Sequence, residues 1–320
     1  MRVIKIHHPL NLQLIPAGQT ILAMGFFDGV HRGHQAVIKR AKREAQRRHL
    51  PLAVLTYNHT PQIVYRRFDR GVHYLTGNRR KFELLAHLGV DLVYEIDFTS
   101  DFGAQSPQEF VDAYLVAMHP AAVVAGFDHT YGPKDTATMS LLPKYARRRF
   151  DVITVPKMPI GNGKEKVGST QIKKTIWNGQ IEQANASLGY VYQTAGIVVH
   201  GFARGRQIGF PTLNIDWPRW CVLPKTGVYV TRVLVNGHWY GGMANIGYDE
   251  TFGDDADKTL EIFLFNFHHE VYGETVRVNW YQRLRDTVKF NSVAELVAQM
   301  KQDEQACQKY LDRHPMTTNK

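Results

Sequence analysis

Two histidines three residues apart, His31 and His34, stand in the run Gly25-Phe26-Phe27-Asp28-Gly29-Val30-His31-Arg32-Gly33-His34. The apolar stretch Thr20 to Met24 precedes this run and reads as a strand. A helical pattern follows from His34 to Arg48, with Val37, Ala41 and Ala45 on one face. The N–H groups exposed at such a helix start form an anion site. Histidines at this spacing fall on one side of the first turn. There they can donate hydrogen bonds to a polyphosphate and stabilise charge on a leaving pyrophosphate. Gly25 and Gly29 are expected to let the chain turn sharply after the strand. Gly33 is expected to let a ligand approach closely, and Asp28 to orient a donor or assist a metal ion. Ser169 and Thr170, followed by Gln171-Ile172 and a helix, are a second phosphate candidate through their hydroxyls and helix-start amides.

A different chemistry is suggested by Gly201-Phe202-Ala203-Arg204-Gly205-Arg206-Gln207-Ile208-Gly209-Phe210-Pro211-Thr212-Leu213-Asn214. This run is not a Walker loop. Pro211 stiffens the backbone. Thr212 and Asn214 then present two hard oxygen ligands, two residues apart, on one side of an extended chain. Such oxygens suit Mg²⁺, which takes few protein ligands and relies on substrate phosphates. Glu261 lies in the alternating run Leu260-Glu261-Ile262-Phe263-Leu264. A carboxylate there can take the proton of a primary alcohol as it attacks a γ-phosphate. Read by itself, a strand glutamate is more commonly a surface residue.

The elements that must position these groups change in kind along the chain. The first half alternates strands (Thr20–Met24, Leu52–Tyr57, Leu92–Ile96, Ala122–Phe127, Val152–Val155) with helices (Arg79–Leu88, Pro107–Met118, Leu141–Arg149). That rhythm gives an open α/β fold with a parallel sheet, which binds ligands at the carboxyl ends of its strands. Beyond about residue 185 the pattern becomes β-rich. Strands are expected at Gly227–Val235, Trp239–Ile246, Leu260–Phe267 and Thr275–Tyr281, separated by turns such as Asn236-Gly237 and Gly253-Asp254. A last helix starts at the N-cap Ser292, with Glu295 completing a capping box, and runs to about Leu311. A small β-barrel with a C-terminal helix fits this half. The linker is expected near Ser187 to Tyr192.

Of 320 residues, 39 are Lys or Arg and 29 Asp or Glu, giving a net charge of +10. Residues 1–185 hold 25 bases and 15 acids, and the remainder is neutral. The excess therefore sits in the α/β half, where it favours phosphorylated partners. Ordinary globular composition excludes a low-complexity chain. No apolar run is long enough for a membrane span, and the N-terminus does not read as a signal peptide. Two cysteines, Cys221 and Cys307, exclude a disulfide framework and a thiolate metal site, and fit a reducing cytoplasm.

The longer motif, Gly25-x-Phe27-Asp28-Gly29-Val30-His31-x-Gly33-His34-Gln35, resembles that of the prokaryotic bifunctional riboflavin kinase/FAD synthetases (FMN adenylyltransferases). Further pieces resemble the family in order: Leu75-Thr76 with Lys81, Gly126-Phe127-Asp128, and Ser169-Thr170. The second run resembles the riboflavin kinase signature G-R-x-x-G-F-P-T-x-N. Ala244-Asn245-Ile246-Gly247, Thr251-Phe252 and Arg285 follow. The resemblance implies an HxGH-type, Rossmann-like nucleotidyltransferase domain over 1–185 and a riboflavin-kinase-type β-barrel with a terminal helix over 186–320. The barrel would phosphorylate riboflavin with ATP and Mg²⁺, and the first domain would join AMP to FMN, giving FAD and pyrophosphate. His31, His34, Asp28 and Glu261 would be catalytic, and Thr212 and Asn214 would hold metal. Gly25, Phe27, Gly33, Asp128, Ser169, Thr170, Lys173, Gly205, Arg206, Gly209, Pro211 and Arg285 would line the binding sites. ATP, riboflavin and FMN would be the partners, with no membrane and no nucleic acid. Self-association stays open. Lys173 stands where the family usually has Arg, and keeps the charge without the bidentate fork. Two alternatives are a kinase with an altered adenylyltransferase half and a non-catalytic regulator binding flavin or nucleic acid.

Overall fold

A computed structural model of the chain describes residues 1–69, 71–157, 159–160, 165–166, 168–201, 204–248 and 258–316. The expected motif pieces Phe202-Ala203 and Thr251-Phe252 and the turn Gly253-Asp254 lie outside them. The chain divides into two compact units. One comprises Met1–Val72 and Thr76–Ser169, the other His73–Leu75 and Thr170–Lys320.

The first unit is built on a six-stranded parallel sheet. Its strands are β1 (Arg2–Ile6), β2 (Thr20–Met24), β3 (Leu52–Tyr57), β4 (Leu92–Ile96), β5 (Pro120–Gly126) and β6 (Asp151–Val155), in the order β1-β4-β3-β2-β5-β6. Strands β2, β3 and β4 are buried at every residue. They lie between two apolar layers, which is why they read as unbroken apolar runs. Helix α1 (Arg32–Arg48) covers one face with Val37, Ile38, Ala41 and Ala45. The other face carries Phe102, Phe110, Tyr114 and Met118. The single helix expected over Pro107–Met118 is a compound one. An α-turn (Pro107–Phe110) with a Ser106/Glu109 capping box leads into a π-turn (Val111–Leu115) and a 3₁₀ turn (Val116–Met118).

The second unit is a closed antiparallel barrel, after a short pair β7 (Pro159–Ile160) and β8 (Glu165–Lys166) that belongs to the first unit. Its strands are β9 (Tyr192–Val199), β10 (Thr212–Asp216), β11 (Gly227–Val235), β12 (His238–Tyr248), β13 (Lys258–Leu264) and β14 (Thr275–Arg285). The closed order is β10-β13-β12-β11-β14-β9. Closure removes the exposed edges of an open sheet. Leu260, Ile262 and Leu264 of β13 are buried and alternate with Glu261 and Phe263, which are only half-buried. Fully buried Trp280 donates its indole N–H to the Thr194 hydroxyl at 2.9 Å. The terminal helix Val293–Arg313 packs Cys307 and Leu311 against Val228, Val230, Met243 and Phe265. Its N-cap Ser292 accepts from Glu295 N–H, as expected, but Glu295 reaches back to the N–H of Asn291. The expected linker stretch, 187–192, holds the end of a helix (Ile181–Leu188), its Gly189 cap and the first residue of β9.

Candidate functional site

In the first unit, β2 ends at Met24 and the chain turns into α1 through left-handed backbone at Phe27 (φ 57°), Gly29 (φ 79°) and Val30 (φ 35°). A β-branched residue at positive φ is an outlier, and such strain gathers at functional turns. Gly29 supplies the expected conformational freedom. Gly25 acts differently: a Cβ there would meet the Phe27 ring at 2.9 Å, so its role is close packing and not turning. Phe27 is buried in the core beneath α1, and its ring meets His34 edge-on at 5.3 Å. Its contribution is therefore to pack the histidine pair.

His31 is the N-cap of α1, and its Nδ1 accepts from the His34 N–H at 3.4 Å. In the neutral ring this places the proton on Nε2. The His31 and His34 rings stack at 3.6 Å, so the structure brings the pair together as the spacing predicts. Gly33 lies in the first turn of α1. Asp28 is buried, its Oδ1 accepts from Thr76 N–H at 3.3 Å, and its carbonyl accepts from the Ser169 hydroxyl at 2.8 Å. The Thr76 hydroxyl accepts from Gly29 N–H at 3.1 Å. Thr76 thus clamps the turn from two sides, a role invisible in the sequence because it joins residues 47 and 48 positions apart. Asp128 is exposed beyond the carboxyl end of β5. Beside it, burial pushes the His129 imidazole down to about 4, which keeps it neutral at physiological pH.

Thr170 and Lys173 belong to the second unit. Thr170 is exposed. The Lys173 ammonium donates to the His73 carbonyl at 2.6 Å and lies 5.7 Å from the Tyr74 ring.

The barrel carries a cavity of about 560 Å³. Glu261 sits on it between two register partners, Asn214 on β10 and Asn245 on β12. Directly paired residues of neighbouring strands project to one face. The Thr212 hydroxyl donates to Glu261 Oε2 at 3.1 Å. Thr212, Glu261, Asn245 and Phe263 line the cavity together. Gly201 closes on Asn214, since a Cβ at 201 would overlap the Asn214 amide. Gly205 lines the same cavity and stands where a Cβ would overlap the Phe210 carbonyl, while Gly209 takes φ 84°. Pro211 is exposed just before β10. Arg206 is exposed and reaches Glu270 at 3.4 Å, a solvated pair of little energetic weight.

Arg285 faces the cavity and is gripped by Asp303. Nε lies 3.1 and 3.0 Å from the two carboxylate oxygens, and Nη2 2.6 Å from Oδ2. Asp303 is only 5% exposed. The sequence reading passes over Asp303 and quotes Asn245 only within a family-like run, without a role. The signal for Asp303 is there: it interrupts the stripe Leu296, Met300, Cys307, Leu311 with a charge. Asn245 gains meaning only from long-range register.

No cluster of three His, Cys, Asp or Glu suited to a metal occurs among the described residues. The oxygen set of Thr212, Asn214 and Glu261 fits a hard cation held mainly by substrate phosphates.

The FAD synthetase family model matches residues 16–171, and the riboflavin kinase family model residues 188–311. The bifunctional riboflavin kinase/FMN adenylyltransferase of Listeria monocytogenes is 47% identical over 95% of this chain and 96% of its own length. That of Bacillus subtilis is 37% identical over 97% and 98%. A crystal structure described as a macrolide-efflux protein from Streptococcus pneumoniae superposes with a TM-score of 0.88 at 35% identity, covering 96% of this chain and 99% of that one. Among the described residues no helix is long and apolar enough to cross a membrane. Two family models in tandem and relatives matching along nearly the whole length place the chain in one group: it belongs to the bifunctional riboflavin kinase/FMN adenylyltransferase family.

Proposed function

We propose that the two sites perform successive steps, phosphorylation of riboflavin in the barrel and adenylylation of the resulting FMN at the histidine turn. The carrying observation is Glu261 on the cavity wall with Asn245 and Thr212, the Thr212 hydroxyl bonded to the carboxylate and Asn214 directly opposite Glu261 in register. In the barrel, Glu261 accepts the proton of the ribityl 5′-hydroxyl as its oxygen bonds to the γ-phosphorus, and the bond to the β-phosphate oxygen breaks to release ADP. Glu261 keeps lone pairs for that proton, since an ionised carboxylate has about four acceptor positions and the Thr212 hydroxyl occupies one. Thr212 and Asn214 would hold Mg²⁺ together with the ATP phosphates. The ion, when bound, neutralises phosphate charge. Arg285, fixed by Asp303, presents a permanent positive charge to the cavity. Gly205, Arg206, Gly209 and Pro211 shape the loop that would cover the phosphates.

At the histidine turn an FMN phosphate oxygen attacks the α-phosphorus of ATP, and the α–β bridging bond breaks to release pyrophosphate. No protein nucleophile is required. His31 and His34 donate to the departing phosphates, and the start of α1 adds N–H groups and a positive dipole end. Asp28, Gly25, Phe27 and Gly33 set the turn. Asp128 and Ser169 complete the proposed binding set within the first unit, and Thr170 and Lys173 are proposed phosphate-binding residues of the second. The surplus positive charge of the first 185 residues supports anionic substrates there. The proposed domain limits are 1–185 and 186–320. Two buried cysteines outside any disulfide, Cys221 and Cys307, support work in the cytoplasm. The test is separate assay of FMN formation from riboflavin and FAD formation from supplied FMN, each with MgATP.

A further inference from the structure

We infer that Lys81 is a positioning residue for adenylyl transfer: through Thr56 its ammonium props the Phe26 carbonyl and so holds the turn that carries Asp28, His31 and His34. The inference rests on the reading of that turn as the adenylyl-transfer site.

Lys81 is 2% exposed, a rare state for a lysine. Its Nζ donates to the Tyr57 carbonyl at 2.9 Å and to the Thr56 hydroxyl at 3.4 Å. The Thr56 hydroxyl in turn donates to the Phe26 carbonyl at 2.9 Å. The donors run in one direction, from ammonium to hydroxyl to carbonyl, and each bond polarises the next. The ammonium also lies 5.1 Å from the centre of the Phe26 ring and 5.6 Å from that of Phe82. Phe26 is the residue before the left-handed turn at Phe27, Gly29 and Val30. A strained turn persists only where its surroundings over-determine it. Thr76 and Ser169 hold the Asp28–Gly29 part, and the Lys81–Thr56 chain holds the Phe26 end.

The charge itself is held at a cost. Burial pushes the Lys81 ammonium down to about 8, opposed first by Glu95 and then by Asp28. Glu95 is buried too, and accepts from the Asn78 side chain at 2.6 Å. An apolar side chain of similar length would avoid that desolvation but leave the buried Glu95 carboxylate without its positive neighbour and the Tyr57 carbonyl without this donor. Lys81→Met therefore costs stability under either role, and the two roles part in whether, well below melting, FAD formation alone is lost while the kinase rate is kept.

The experiment uses the full chain, measuring FAD formation from FMN and MgATP, FMN formation from riboflavin, and thermal melting on the same preparations. Lys81→Met is expected to lower kcat for FAD formation at least tenfold, with KM for ATP and FMN within twofold. Its kinase rate, assayed well below melting, should be unchanged even where the melting temperature falls, and Lys81→Arg should recover part of the loss. Thr56→Val should lower the same kcat, and the double variant should be no worse than the worse single one, because both act through one carbonyl. FAD formation within twofold of wild type in Lys81→Met, or additive losses in the double variant, would overturn the inference. Should Lys81→Met fail to fold, Thr56→Val decides, and an unchanged kcat there counts against it. A wild-type chain that forms no FAD would overturn the reading of the turn itself, and the role of Lys81 with it.

Discussion

The Thr212 hydroxyl donates to Glu261 across two neighbouring strands, at 3.1 Å. A hydroxyl has one hydrogen and two lone pairs, so this bond leaves Thr212 able to serve a cation while its hydrogen orients the carboxylate. One residue thus links the proposed metal position to the proposed base. Asn214, directly opposite Glu261, lies on the same face.

Thr212→Val removes that link while keeping β-branched shape. Riboflavin phosphorylation should fall at least tenfold, the scale of one hydrogen bond to a charged group. Thr212→Ser should restore most of it. FAD formation from supplied FMN should not change. Steady-state assay of both reactions on each variant checks this.

Asp303 holds Arg285 through three contacts from the terminal helix. Asp303→Ala leaves a partly buried guanidinium without its carboxylate, at a cost of about 2 kcal/mol in a pair that is not wholly desolvated. The barrel's melting temperature should drop by about 5 °C, and riboflavin phosphorylation should weaken. Scanning calorimetry with and without bound nucleotide measures the first effect, and product assay the second.

Glu44 is the single carboxylate of α1, and accepts from Arg47, from Arg48 at 2.6 Å and from Arg40 at 3.1 Å. Those bonds, with Arg47 the largest cause, hold its carboxyl at about 2 against an ordinary 4.5. A carboxylate depressed by folding stabilises the folded state above its ordinary pKa, and that contribution fades as pH falls from about 4.5 toward about 2. The first unit should therefore lose stability over that window. Glu44→Gln should be less stable at pH 6 and show a flatter decline. Urea midpoints between pH 6 and 2.5 test this.

Chelation separates metal from fold. Excess EDTA should abolish phosphorylation of riboflavin, and added Mg²⁺ should restore it, with melting unchanged in the absence of nucleotide. The hydroxyl, amide and carboxylate oxygens of Thr212, Asn214 and Glu261 fit an ion that arrives with ATP. A metal-dependent melting temperature without nucleotide would contradict this.

Much of the frame is legible in the residues themselves. Thr20–Met24, Leu52–Tyr57 and Leu92–Ile96 are strands as read, because a strand covered on both faces is apolar throughout. Arg2–Ile6 escapes that rule: among the described residues it pairs with β4 alone, at the sheet edge, and the exposed Arg2 and Lys5 break up its apolar run. In the barrel, Tyr192–Val199 and Thr212–Asp216 are strands that the reading does not name, although it does make the Thr212–Asn214 stretch extended. The histidine pair is legible because three-residue spacing on a helix start fixes a common side. The clamps are not. Thr76 on Asp28, Lys81 on Thr56 and Asp303 on Arg285 each join residues 18 to 48 positions apart, and local spacing carries no trace of them.

The central claim is that Glu261 and His31 serve two separate, consecutive reactions. Its most direct measurement follows riboflavin, FMN and FAD by chromatography after incubation of riboflavin with MgATP and wild type, His31→Ala or Glu261→Ala. The account expects wild type to reach FAD and His31→Ala to accumulate FMN, with adenylylation slowed on the order of a hundredfold. Glu261→Ala should leave riboflavin largely unconverted, since loss of a general base costs about a hundredfold or more. Formation of FMN by Glu261→Ala at the wild-type rate, or of FAD by His31→Ala at the wild-type rate, would contradict it.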